Sequence, residues 1–186
     1  MEAIKKIELN KIVKVVLISI LGTLLLTVSA KIKIPFYPVP MTMQTFVVLL
    51  MGVTFGWKIG VATISLYLVE GIIGLPVFAG TPEKGVGIIY FVGPTMGYLL
   101  GFLIAVYFAG SLKYEKGIVN TFLKLLFSVS FIYILGLIWL GTLIGWDKPI
   151  FKLGAEPFLL AELFKILLLS FLTPILLKTK KIIKIT

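Results

Sequence analysis

Long apolar runs, separated by short polar connections, make up most of this 186-residue chain. Hydrophobic residues account for 59% of it and charged residues for 14%, against about 45–50% and about 25% in a typical soluble domain. Too few polar side chains remain to cover a water-facing surface, and a lipid bilayer is the solvent that removes this conflict. The chain is therefore predicted to be an all-α, polytopic membrane protein that forms one transmembrane domain over residues 1–186.

Six apolar segments are candidates for membrane-spanning helices, which need about 20 residues. They cover residues 13–30, 42–55, 59–73, 88–110, 118–144 and 157–177. The second and third segments are short, and the alternative interpretation joins them into one long helix. That helix would bury Lys58 near the membrane centre, which is costly, so we favour a tight turn in the glycine-rich stretch 52–60.

All 18 basic residues are lysines, and their distribution predicts the orientation of the chain. Twelve fall on the side of both termini, five fall on the opposite side, and Lys165 lies inside the sixth segment. The positive-inside rule places the more basic side, with the N and C termini, in the cytoplasm. Because these flanking lysines explain the net charge of +10, nucleic-acid binding is not expected.

Several kinds of chemistry lack the residues that they require. The chain has no cysteine and no histidine, which excludes disulfides, the usual zinc sites and catalysis by Cys or His. It also has no G-x-x-x-x-G-K-[ST] motif, which excludes ATP hydrolysis by a Walker-type loop. We therefore expect no enzyme activity, no cofactor and no resident metal.

Polar residues inside the apolar segments are the first candidates for a functional site. Glu162 and Lys165 lie three residues apart, on one face of the sixth segment. They form either a self-neutralising pair at the membrane interface or the polar floor of a solute site, with Lys165 facing a carboxylate or carbonyl. Gln44 suits either an amide or ureido group of a ligand or an interhelical hydrogen bond. For Glu70, near the end of the third segment, interfacial exposure is the favoured interpretation.

Small residues recur at helical spacing in two segments. Gly93, Gly97 and Gly101 repeat every four residues, a pattern that favours close helix packing over ligand contact. Ser19 and Thr23 begin a similar stripe on the first segment. That stripe contacts either a helix of a partner protein or a neighbouring helix of the same bundle.

Four blocks of the sequence together resemble a known family. They are I-P-F-Y-P-V-P-M-T-M-Q-T at 34–45, Y-L-V-E-G-I-I-G-L-P-V-F-A-G at 67–80, G-P-T-M-G-Y-L-L-G-F at 93–102 and G-A-E-P-F-L-L-A-E-L-F-K at 154–165. Their order and spacing resemble those of the BioY family, the biotin-binding S components of energy-coupling factor (ECF) transporters. The resemblance spans most of the chain.

The chain departs from the family pattern at three places. Glu162 stands where the family usually has Asp, so the carboxylate lies one methylene further from the backbone. The segment 80–85 replaces a loop that is often rich in Gly and in Asn or Ser, and Thr81 is the nearest polar substitute. Ser19 and Thr23 stand where alanines of a docking motif are expected.

The resemblance implies high-affinity binding of biotin near the outer face and its uptake across the cytoplasmic membrane. By the resemblance, the substrate-binding residues are Gln44, Phe78, Thr81, Tyr98, Glu162 and Lys165. The implied partners are biotin, the lipid bilayer, a transmembrane coupling subunit docked at Ser19 and Thr23, and two ABC-type ATPases that supply the energy. Three alternatives stay open: an S component for another vitamin, an autonomous secondary transporter of a small solute, and a membrane scaffold without transport.

Overall fold

The computed structural model describes residues 2–80, 87–114 and 117–183, with side chains between residues 12 and 178 of these ranges. Helices dominate the described chain, with one pair of short strands near the N-terminal third. In chain order the elements are α1 (Glu2–Lys31), β1 (Lys33–Ile34), β2 (Met41–Thr42), α2 (Gln44–Ile72), a 3-10 helix (Gly87–Val92), α3 (Met96–Ser111), α4 (Gly117–Ile144), α5 (Ile150–Gly154) and α6 (Glu156–Ile183).

Helix α2 is broken at Gly56, whose φ of 80° and ψ of 170° lie outside the helical region. The carboxamide nitrogen of Gln44 donates to the hydroxyl of Tyr67 at 2.8 Å. A straight helix would place residues 23 positions apart about 35 Å from each other. The chain therefore reverses at Gly56, and residues 44–55 and 57–72 form two antiparallel arms. The predicted turn is confirmed.

The fourth apolar segment folds differently from the prediction, which placed one helix over 88–110. The structure has a 3-10 helix at Gly87–Val92, and α3 begins only at Met96. Pro94 accounts for the late start, because it lacks a backbone N–H and disfavours the helical conformation of the residue before it. Gly93 consequently precedes the helix on which it was predicted to lie.

Two glycines of α3 allow α4 to approach closely. A Cβ at Gly97 would collide with the carbonyl oxygen of Leu135, and one at Gly101 would lie 2.6 Å from the Cα of Ile132. A side chain at either position would push the two helices apart. The predicted packing role is confirmed for these two glycines.

The helices bury a common core and leave many apolar side chains on the outside. Helix α2 packs against α1 and α3, α3 against α4, and α6 against both α2 and α4. Among the described residues, four helical stretches are long and apolar enough to cross a membrane, and α3 is apolar but shorter. These four stretches are Ile12–Lys31, Gln44–Ile72, Gly117–Ile144 and Glu156–Lys178. The prediction of a mainly helical chain with membrane-type helices is confirmed, and the two-residue strands are a small departure from an all-α fold.

The connections between helices gather at one end of the bundle. Strands β1 and β2 pair antiparallel, and the ring of Phe78 stacks on Tyr90 of the 3-10 helix with centroids 4.7 Å apart. The hydroxyl of Tyr98 donates to the carbonyl of Gly154, at the end of α5. Together these contacts enclose polar side chains that come from α2 and α6.

Candidate ligand-binding site

A buried ion pair lies at the centre of this enclosed region. Glu162 and Lys165 are one turn apart on α6, are only 3% and 6% exposed, and have Oε2 and Nζ 3.2 Å apart. Lys165 Nζ also donates to the carbonyl of Thr42 at 2.8 Å and to the hydroxyl of Thr45 at 3.1 Å. An ammonium group has three N–H donors, so each donor of Lys165 has an acceptor from the protein.

The two carboxylate oxygens of Glu162 have different surroundings. Oε2 accepts hydrogen bonds from the hydroxyls of Thr45 at 2.9 Å and Tyr133 at 3.1 Å, in addition to the contact with Lys165. Oε1 is buried and has no hydrogen-bond partner among the described residues. A buried carboxylate oxygen without a donor is costly. The site therefore offers an acceptor that an N–H or O–H group of a ligand would satisfy.

Gln44 joins the base of the site to the segment that carries Phe78. Its Oε1 accepts from the hydroxyl of Thr42 at 3.1 Å, and its Nε2 donates to the hydroxyl of Tyr67 at 2.8 Å. Tyr67 in turn donates to the carbonyl of Val77 at 2.8 Å. This chain of hydrogen bonds uses one of the two N–H groups of Gln44 and leaves the other for a ligand carbonyl.

Aromatic rings supply the apolar walls of the site. Phe78 packs edge-on against Tyr67 with centroids 5.2 Å apart, and Gly71 makes room for its ring, since a Cβ at Gly71 would collide with it. The ring of Tyr98 meets Tyr133 at 6.3 Å in an edge-to-face arrangement. Phe78, Tyr98 and Tyr133 therefore give the site rigid aromatic walls.

The side chains of Gln44, Phe78, Tyr98, Glu162 and Lys165 line a single cavity of about 60 Å³. The fold thus brings together all but one of the six substrate-binding residues that the sequence predicted. The exception, Thr81, lies outside the described residues. We call this volume the inner cavity.

Residues that sequence reasoning did not single out complete the lining of the inner cavity. Thr45 and Tyr133 both donate to Glu162, and Phe158, Tyr90 and Thr95 add to the walls. Thr45 directly follows Gln44 in the first family-like block, so its position there was a usable signal. Tyr133 sits in the long apolar run of α4, where only its hydroxyl distinguishes it from a packing residue.

The predicted docking stripe faces the interior of the bundle. Ser19 and Thr23 are buried, and the hydroxyl of Ser19 accepts from Thr63 of α2 at 3.4 Å. The hydroxyl of Thr23 donates to Glu70 of α2 at 3.0 Å. The stripe therefore contacts a neighbouring helix of the same chain. Glu70 is engaged at this interface and does not line the inner cavity.

Comparison with known proteins matches nearly the whole chain to one family. The sequence model of the BioY family matches residues 3–182. The "Probable biotin transporter BioY" of Pyrococcus horikoshii is 38% identical over 76% of this chain and 82% of its own length. The "Biotin transporter BioY" of Thermotoga maritima is 36% identical over 77% of this chain and 84% of its own length.

The fold is also that of a solved protein of the same kind. The S-component for biotin from an ECF-type ABC transporter superposes with a TM-score of 0.75 at 25% sequence identity. The match covers 91% of this chain and 93% of the solved chain. The helical bundle, the buried pair on α6 and these matches together lead to one conclusion: the chain belongs to the BioY family.

Proposed function

We propose that this protein captures biotin with high affinity and serves as the substrate-binding S component of an ECF-type ABC transporter for biotin uptake. The observation that carries the proposal is the buried Glu162–Lys165 pair at an otherwise mostly apolar cavity, with one carboxylate oxygen that no described residue pairs. The relatives named as biotin transporters and the solved biotin S-component support it.

The chemistry of biotin fits these groups. Its ureido ring carries N–H donors and a carbonyl acceptor, and its thioether ring and valerate chain are apolar. We assign the ureido N–H to Glu162 Oε1, to which no described residue donates, and the ureido carbonyl to the remaining N–H of Gln44. Phe78 and Tyr98 would flank the rings. Ligand sites of this kind combine apolar walls with a few well-placed polar groups.

We further propose six membrane-crossing segments in the cell (cytoplasmic) membrane, with the N and C termini in the cytoplasm. These segments are α1, the two arms of α2, α3, α4 and α6. Both arms of α2 are shorter than the usual span of about 20 residues, and tilting or local thinning of the bilayer accommodates short helices. The distribution of lysines, twelve on the side of the termini against five opposite, supports this orientation.

Energy for uptake would come from partner proteins, a transmembrane coupling subunit and two ABC-type ATPases, since this chain lacks a Walker-type nucleotide loop. Because Ser19 and Thr23 are buried against α2, docking would use other surfaces of α1. The outward face of this helix carries exposed apolar side chains, among them Leu17 and Leu21. That face is continuous with the lipid-facing surface, where a coupling subunit would lie.

Equilibrium binding of radiolabelled biotin to the purified protein in lipid nanodiscs tests the proposal. The wild type is compared with the double variant Glu162→Gln, Lys165→Met, in which both charges are removed together. We expect the double variant to bind biotin about 10- to 150-fold more weakly, because a hydrogen bond to a charged group contributes about 1.5–3 kcal/mol.

The matched control is Asp147→Asn, Lys148→Met, which removes the exposed ion pair whose side chains are 71% and 55% exposed. The control should bind like the wild type. Absence of biotin binding by the folded wild type would refute the proposed function, and competition by another vitamin would redirect it. Uptake driven by a proton gradient, in liposomes that contain this chain alone, would favour the autonomous transporter instead.

A further inference from the structure

The inner cavity is poorly suited to the negatively charged end of a ligand. Lys165 is the cation that lines it, and all three of its N–H donors are already directed to Thr42, Thr45 and Glu162. Its charge is offset by Glu162 at 3.2 Å. Among the described residues, the Oε1 acceptor of Glu162 is unpaired at this site, and it would repel a carboxylate. A carboxylate on the ligand must therefore find its cation elsewhere.

A second cavity, of about 140 Å³, adjoins the inner cavity, and we call it the vestibule. The two cavities share four lining residues: Pro40, Ala79, Tyr90 and Thr95. The rest of the vestibule is formed mainly by the β1–β2 connection and the segment around Gly93. Lys33 is the charged residue in its described lining. Burial raises the pKa of Tyr90, so its hydroxyl stays neutral and leaves Lys33 as the source of charge.

Lys33 and Lys31 contact the segment that borders both cavities, since Ala79 lines each of them. The Nζ of Lys33 donates to the carbonyl of Ala79 at 2.6 Å, and the Nζ of Lys31 donates to the adjacent carbonyl of Phe78 at 2.7 Å. Neither lysine forms an ion pair with any carboxylate among the described residues. Each ammonium keeps further N–H donors, and a carboxylate is a stronger acceptor for them than a neutral carbonyl.

Neither cavity alone has the volume of a typical small-ligand site, and the four shared lining residues allow one ligand to extend from one cavity into the other. Volumes of about 60 and 140 Å³ are each below the range of about 300–1,000 Å³ typical of small-ligand sites. A ligand with a ureido ring at one end and a carboxylate at the other would place the ring against Glu162. Its tail would then pass Ala79, which lines both cavities, and extend towards Lys33.

Resting on the proposed function, we propose that the vestibule is a carboxylate subsite, and that Lys33 binds the carboxylate of the biotin tail. Lys33 is thereby a specificity-determining residue, which favours the free acid over uncharged derivatives of the same ring system. Lys31 acts beside it as a positioning residue, because its Nζ donates to the carbonyl of Phe78, the residue before Ala79.

A cycle that changes both the ligand and the protein tests this assignment. Affinities for biotin and for its neutral primary amide are measured on the wild type and on Lys33→Gln. We expect the wild type to prefer biotin by about tenfold, a value reduced from that of a buried charged hydrogen bond because Lys33 is exposed to solvent. In Lys33→Gln the preference for biotin over the amide should fall to near one. Saturable binding of the amide by the variant shows that it is folded.

Lys148→Gln is the matched control, since it removes an exposed lysine from another connection and should keep the tenfold preference. Equal binding of biotin and amide by the wild type, or a preference that persists in Lys33→Gln, would overturn the carboxylate subsite. Failure of the wild type to bind either ligand would refute the proposed function itself. The two failures are therefore distinguishable.

Discussion

Removing one charge of the buried Glu162–Lys165 pair should markedly lower the temperature at which the protein unfolds. The substitution Glu162→Gln keeps the size of the side chain but leaves the Lys165 ammonium, 6% exposed, without a counter-charge. Breaking a buried ion pair by removing one partner costs about 3–5 kcal/mol. We expect the lower part of this range, because the acceptors on Thr42 and Thr45 remain in place.

The cost converts into a shift of the unfolding midpoint. For chains of 150–250 residues, 1 kcal/mol corresponds to about 2–4 °C, so a loss of about 3 kcal/mol, at the lower end of that range, lowers Tm by roughly 6–12 °C. Lys165→Met should lower Tm by a similar amount, since it leaves the Glu162 carboxylate buried. The double variant should unfold within a few degrees of the wild type, because neutral side chains of similar volume replace a buried pair at little cost.

The assay is thermal unfolding followed by circular dichroism in one detergent, at one heating rate, since membrane proteins often unfold irreversibly. Asp147→Asn serves as the control, because its pair with Lys148 is exposed and should change stability by less than about 1 kcal/mol. If the destabilisation of the double variant equals the sum of the two single variants, the charges do not stabilise each other. That result would refute the assignment of a coupled, self-neutralised pair.

Three further variants test single contacts of the fold and site. Tyr133→Phe removes a donor to Glu162 and should weaken biotin binding about tenfold in a binding titration, with Tm nearly unchanged. Gly71→Ala would drive a Cβ into the ring of Phe78, so biotin affinity should fall about 5- to 150-fold; an unchanged affinity would show that the ring is dispensable. Gly56→Ala should lower the free energy of unfolding by about 1–3 kcal/mol, measured by denaturant titration, because alanine tolerates φ of 80° with ψ of 170° poorly.

Much of the helical framework could be predicted because it depends on properties local to the sequence. The apolar run predicted at 118–144 appears as α4, Gly117–Ile144, and the run at 157–177 lies within α6. The turn at Gly56 could be predicted because glycines cluster there beside Lys58, and one long helix would bury this lysine near the membrane centre at high cost. The Glu162–Lys165 pair was recognisable because two charges one turn apart are rare within an apolar segment.

Other features of the fold and of the site were harder to predict from the sequence. The prediction that α3 begins at residue 88 was wrong, because we gave the apolar character of residues 88–95 more weight than Pro94. The stripe of Ser19 and Thr23 has the same spacing whether it faces a partner protein or α2, so only the packed helices decide between the two. Lys33 resembled an ordinary flanking lysine until the fold placed its ammonium against the carbonyl of Ala79.

The cost of burying charge gives a physical reason for dividing a ligand between the two cavities. A carboxylate held deep among the helices would lose its hydration and would need a dedicated cation, which in turn would be left buried and unpaired whenever the site was empty. The Glu162–Lys165 pair avoids this problem, because it is neutral as a unit and needs only a donor from the ligand. Lys33 lies where solvent reaches it, so its charge stays hydrated before the ligand arrives and after it leaves. Under the proposed orientation, the free energy of binding comes mainly from the inner cavity and the selection for a free acid from the vestibule. The two properties should therefore respond to different substitutions.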